Sequence, residues 1–140
     1  MKKNRKKILG TLLCIFVLAF TMTSCGGDPS EDGSDIKTII VSFSILYPEN
    51  SGKANVENHK MQVQEDATIL QLLESYTDQE GLESEINNSG TPYITSINEV
   101  RENGSFGWVC EVNGSSRLTK GVSNYKVQNG DRIVWKFVEL

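Results

Sequence analysis

The sequence predicts an α+β fold, a β-grasp-like mixed sheet with one main helix packed on one face. Three observations predict it. Several segments alternate apolar and polar residues at period two, only one carries a helical period, and the order is two strands, a helix, then strands.

The first strand is TIIVSFSILYP, in which Val41, Phe43, Ile45 and Tyr47 alternate with Ser42, Ser44 and Leu46 until Pro48 ends the run. A polar loop, ENSGKANVEN, leads to a second strand, HKMQVQ. The helix follows in EDATILQLLESYTDQ. Thr68 and Gln71 have the spacing of a capping box, and Ile69, Leu72, Leu73 and Tyr76 share one face. Glu65 and Asp66 stand where the helix dipole favours negative charge.

Beyond it, Asp78, Glu80, Glu83 and Glu85 lack the alternating ligands and central Gly of a calcium loop and read as a solvated helix end. GTPYITSINEV is the next strand, RENGS a turn and FGWVCEV a further strand ending at Asn113 and Gly114, a pair suited to positive φ. SSRLTKGVSN is a loop of small residues. YKV, the turn QNGD and the strand RIVWKFVEL, with Ile133, Trp135 and Phe137 on one face, close the chain.

The N-terminus predicts location. A basic flank, MKKNRKK, precedes the apolar run Ile8 to Phe20, then small residues and a Cys, the layout of an export signal. The run holds 13 residues where a spanning helix needs about 20, so a permanent span is disfavoured. Thr23, Ser24 and Cys25 resemble a bacterial lipobox with Met22 in place of the usual Leu. The expected organisation is a lipoprotein signal peptide over 1–24, a lipidated Cys25 with a flexible acidic tether over 25–36, and a domain over 37–140. The product would be lipid-anchored to the bacterial cell membrane on its extracytoplasmic side. The tether, GGDPSEDGSD, cannot bury a core and has a typical end-to-end reach of about 16–19 Å.

Loss of residues 1–24 would leave nine basic against 18 acidic groups, a formal charge of −9. That balance argues against nucleic acid as a partner. The chain has three Cys; with Cys14 in the signal and Cys25 acylated, Cys110 has no partner for an internal disulfide. A nucleophilic thiol needs a base, and the only His is His59, so Cys110 reads as a small buried hydrophobe alternating with Trp108 and Val112. The motifs GxSxG, HExxH, CxxC and GxGxxG are absent, and no catalytic or metal-binding set is expected.

The remaining signal is the loop between Val112 and Tyr125. Gly114 and Gly121 allow close backbone approach, Ser115, Ser116 and Thr119 offer hydroxyls, and Trp108 and Tyr125 offer flat apolar surface. From the residues alone, Trp108, Tyr125 and Trp135 read at least as well as core aromatics of a small sheet.

PYITSI (Pro92 to Ile97), GWVCEVNG (Gly107 to Gly114) and GVSNYKVQNGDRIVWKF (Gly121 to Phe137), in that order, resemble the C-terminal domain of the transcobalamin and intrinsic factor family. They resemble more closely still its bacterial lipoprotein form, the DUF4430 group. The resemblance implies an extracytoplasmic binding module contributing one face of a cobalamin or corrinoid site, with no other cofactor. By motif it points to Trp108, Val112, Asn113, Gly114, Ser115 and Leu118 as contacts, with Gly121 and Tyr125 supporting the loop. Here Arg117 is an added loop residue, and Cys110 stands where related chains commonly carry a larger side chain. The carriers close the ligand against a helical barrel for which residues 25–140 leave no room. An importer or second surface protein would then complete the site. The alternative expectation is an envelope adaptor that docks through a sheet edge or the loop from Gly114 to Tyr125, with no small ligand.

Overall fold

The computed structural model describes residues 37–116, 118 and 120–140. The expected signal peptide, Cys25 and the tether lie outside the described residues, as do Arg117 and Thr119.

Strand β1 (Thr38–Leu46) and β2 (Val56–Gln64) form an antiparallel pair in which Ile39 faces Val63 and Val41 faces Met61. The register slips between Phe43 and Ile45, where Asn58 takes a positive φ of 52°. The last strand, β7 (Arg132–Glu139), lies parallel to β1 at the sheet centre and antiparallel to β6 (Phe106–Val112), giving the order β2-β1-β7-β6. Parallel neighbours need a crossover, and α1 (Ile69–Glu80) lies on it. First and last strands side by side under one helix is the β-grasp arrangement expected from the order of elements.

Helix α1 starts where its side chains satisfy its own orphan N–H groups. The Thr68 hydroxyl accepts from the Gln71 N–H at 3.2 Å, while the Gln71 carboxamide oxygen accepts from the Thr68 N–H at 2.9 Å. It stops at Gly81, whose φ of 65° suits a residue without Cβ. Ile69, Leu72, Leu73 and Tyr76 are buried against the face of β1 that carries Val41, Phe43 and Ile45, and the Phe43 and Tyr76 rings meet at 4.9 Å. Each such aliphatic side chain contributes about 1.5–3 kcal/mol by leaving water.

Between α1 and β6 the structure departs from expectation. In place of one strand flanked by a solvated helix end and a turn, the chain builds a second sheet, β3 (Ser84–Asn87), β4 (Tyr93–Ile97) and β5 (Val100–Arg101), in the order β3-β4-β5. Glu85 belongs to β3 and forms an ion pair with Arg101 of β5. The tight turn joining β4 to β5 uses Asn98 and Glu99 at φ of 49° and 67°. Ile94, Ser96 and Ile97 of β4 are buried, and Ile94 and Ile97 join the core.

The buried residues described form one continuous cluster, from Ile39 of β1 to Trp135 of β7, to which both sheets and α1 contribute. Among the described residues, no helix is long and apolar enough to cross a membrane.

Candidate functional site

Alternation along β6 sends Trp108, Cys110 and Val112 to the helix-covered face, opposite Phe137, Trp135 and Ile133 of β7. Trp108 is 8% exposed. Its indole N–H donates to the Val100 carbonyl at 2.8 Å, fastening the small sheet to the edge of the large one. Tyr47 and Phe137 meet its ring edge-on, at 5.7 and 5.3 Å, and Phe137 stacks in turn on the half-exposed Phe106 at 6.2 Å. Burial, with a smaller contribution from the Glu111 carboxylate, pushes the Cys110 thiol up to about 12. At neutral pH it is a thiol and not a nucleophile.

Val112 and Ser115 close the turn at the end of β6, each N–H donating to the other's carbonyl at 2.9 Å. Asn113 and Gly114 occupy it with φ of 52° and 84°. The Asn113 side chain is already committed: its Nδ2 donates to Asp131 at 2.8 Å and its Oδ1 accepts from the Arg132 N–H at 2.9 Å. The Asp131 carboxylate also accepts from the Gln128 N–H at 2.9 Å, so one carboxylate and one carboxamide pin both turns at this end of the sheet.

Gly121 and Tyr125 serve the helix. The Tyr125 and Val122 carbonyls accept from the N–H groups of Ile69 and Leu70 at 3.1 Å, which satisfies donors of the first turn of α1. Gly121 packs so closely on Thr91 that an added Cβ would lie 3.1 Å from its methyl group.

These segments enclose a groove of about 390 Å³. One wall is Thr91 to Ile94, the floor is Trp108, Cys110 and Trp135, and the other wall is Ser116, Leu118 and Lys120 to Val122. Of the contacts that the resemblance implied, Trp108, Leu118 and Gly121 line it, together with Ser116, one of the loop hydroxyls noted in the sequence. Val112, Asn113, Gly114 and Ser115 form the turn beyond its end, and Tyr125 packs against the core under the helix cap. The wall formed by Thr91, Pro92 and the exposed Tyr93 was missed, although GTPY carries the turn residues that could have marked a loop. Among the described residues, the buried Trp135 indole N–H has no hydrogen-bond partner. A second groove, of about 570 Å³, lies at the Phe106 end of β6 between Phe106, Phe137 and the ion pair of Lys53 with Glu99 at 2.6 Å. Nearby, burial raises Tyr47, opposed by Asn98 and Lys53, and among the described residues its hydroxyl has no partner in hydrogen-bonding geometry.

No group of three or more His, Cys, Asp and Glu side chains suited to a metal ion occurs among the described residues.

The fold is similar to that of haptocorrin, solved in complex with Cbi, at a TM-score of 0.61 and 22% identity. The match takes in 74% of this chain and 26% of haptocorrin, so the chain spans about a quarter of that protein. A Ruminococcus gnavus protein provisionally described as metal-binding aligns at a TM-score of 0.48 and 14% identity, over 73% of this chain and 98% of its own. No curated protein matches the sequence. The family described as "Domain of unknown function (DUF4430)" matches residues 66–139, more than half of the sequence and the whole stretch from α1 through β7, and the chain belongs to the DUF4430 family.

Proposed function

We propose that this chain is a binding module whose groove along β6 receives one face of a flat, amphipathic small molecule, a corrinoid in the first instance. The observation that carries this reading is the convergence of three distant stretches, 91–94, 108–110 and residues 116, 118 and 120–122, on an apolar floor. Ser116, Lys120 and Thr91 give that floor a polar rim. Ligand sites are typically about 300–1,000 Å³ and bury about 70–90% of their ligand. A groove of about 390 Å³ stands at the lower end of that range. It serves as a half-site, to be completed by an importer or a second surface protein. The similarity to haptocorrin supports the ligand class. The resemblance of Thr23, Ser24 and Cys25 to a lipobox supports a lipid-anchored, extracytoplasmic setting, and the absence of familiar catalytic motifs from the sequence favours binding over catalysis.

The test is a titration of residues 37–140 with cobinamide, following tryptophan quenching and corrinoid absorbance, beside Leu118→Ala and Trp108→Phe variants. Saturable quenching that weakens in Leu118→Ala is expected. No saturation up to about millimolar, where binding is worth only about 4 kcal/mol, would overturn autonomous binding.

A further inference from the structure

The two ends of the large sheet differ, and the second edge has a use of its own. The Glu65 N–H donates to the Lys37 carbonyl at 3.0 Å, which sets the phase of the β1–β2 ladder. Two residues on, Val63 and then Met61 pair with β1 through their backbones, so the N–H and C=O groups of Lys60, Gln62 and Gln64 point away from the sheet. The opposite side of β1 confirms the phase, since the Ile40 carbonyl accepts from Gly130 and the Ser42 N–H donates to Asp131. Among the described residues, only the Gln64 carbonyl on this edge finds a backbone partner, Ala67. β2 runs nine residues without Pro, and all but three of its residues are exposed. Natural monomers blunt such edges with bulges, Pro or several charges; on β2 the bulge at Asn58 and the charge of Glu57 lie in the first half, and the stretch from Lys60 to Gln64 has Lys60 alone.

We propose that β2 is a self-association edge, on which a second copy of this chain adds its own β2 antiparallel about a two-fold axis through Gln62. The sequence is self-complementary in that register. Gln62 meets Gln62, and Lys60 meets Gln64, so each outward N–H finds an outward C=O, that of Gln64 accepting it beside the Ala67 N–H. On the helix side Met61 comes opposite the half-exposed Val63, and His59 opposite Glu65; no pair sets like charges against each other. Beside the edge, a groove of about 660 Å³ separates Gln62, Val63 and Gln64 from Gln71, Leu72 and Ser75 of α1. It leaves the helix side of this edge open beside the joined strands, and the second copy's helix lies on that same side of the sheet. The proposal is independent of any ligand bound along β6.

Sedimentation of residues 37–140 from micromolar to millimolar concentration tests it. A monomer–dimer equilibrium is expected. Gln62→Pro deletes an outward N–H and leaves the bonds to β1 in place, and it should weaken the dimer roughly tenfold or more. Gln62→Lys sets like charges across the axis and should weaken it less as salt rises. Both should melt at the wild-type temperature when measured as dilute monomers, which separates a lost interface from a damaged fold. In the full chain, Gln62→Cys should give a disulfide-linked dimer on mild oxidation and Asn124→Cys should not. A chain that stays monomeric at millimolar overturns the proposal and leaves the edge to a different protein's strand. A dimer that survives Gln62→Pro, or cross-links equally through position 124, also overturns it.

Discussion

The two outer strands of one sheet carry opposite designs. β6 is apolar on its helix-facing side, and its outward backbone groups are engaged at both ends, by Asn103 at Phe106 and by Ser115 at Val112. Between those ends it meets the small sheet and a groove. β2 reads Glu-Asn-His-Lys in its first half, is mostly exposed, and has no turn folded back along it. Both are outer strands of the same sheet, β6 in unbroken register with β7 and β2 with one slip at Asn58. The flanking segments therefore decide whether an edge becomes a walled site or an open one.

Substitutions should separate the two edges sharply. Trp108→Ala removes a buried ring that touches Tyr47 and Phe137 and holds the Val100 carbonyl, and should lower stability by about 3–5 kcal/mol in urea denaturation of residues 37–140. Gln62→Ala on β2 should stay within about 0.5 kcal/mol of wild type under the same dilute conditions. Asn113→Ala leaves Asp131 and the Arg132 N–H without their partner and places a Cβ-bearing residue with no polar side chain at φ 52°. A loss of about 1–3 kcal/mol is expected there, measured by the same denaturation.

A smaller effect is a pH dependence carried by β6. Cys110 is raised in the fold to about 12 from an ordinary 9.0, so both states are protonated below pH 9 and its contribution is complete. As pH rises from 9 towards 12 the unfolded chain ionises first, and stability falls. Buried Tyr47 and Tyr76, also raised above their ordinary value of 10.0, act in the same direction at higher pH. Cys110→Ala should therefore flatten the early part of the alkaline decline in denaturation midpoint and leave the later part. An unchanged slope would remove Cys110 from that role.

What could be read from the sequence was what depends on near neighbours. Alternation in TIIVSFSI and FGWVCEV, the Thr68–Gln71 box and the AsnGly turn at 113 each declare themselves within a few residues, and together they set the β-grasp order. The second sheet did not declare itself. SEIN is four residues long, and the turn at Asn98 and Glu99 puts a Glu where a Gly would have signalled it. The groove was half legible for a similar reason. Leu118 and Gly121 follow the β6 turn in sequence, whereas Thr91 and Tyr93 reach β6 only because β4 packs beside it. The commitment of the Asn113 side chain to Asp131 and Arg132 likewise depends on β7 lying next to β6.

The most direct test of the binding account is an amide-resolved NMR map of residues 37–140 titrated with cobinamide. The account predicts saturable shifts centred on 91–94, 108–110 and residues 116, 118 and 120–122, with Lys60, Gln62 and Gln64 on β2 unmoved. Shifts scattered over both edges, or none up to millimolar ligand, would contradict it.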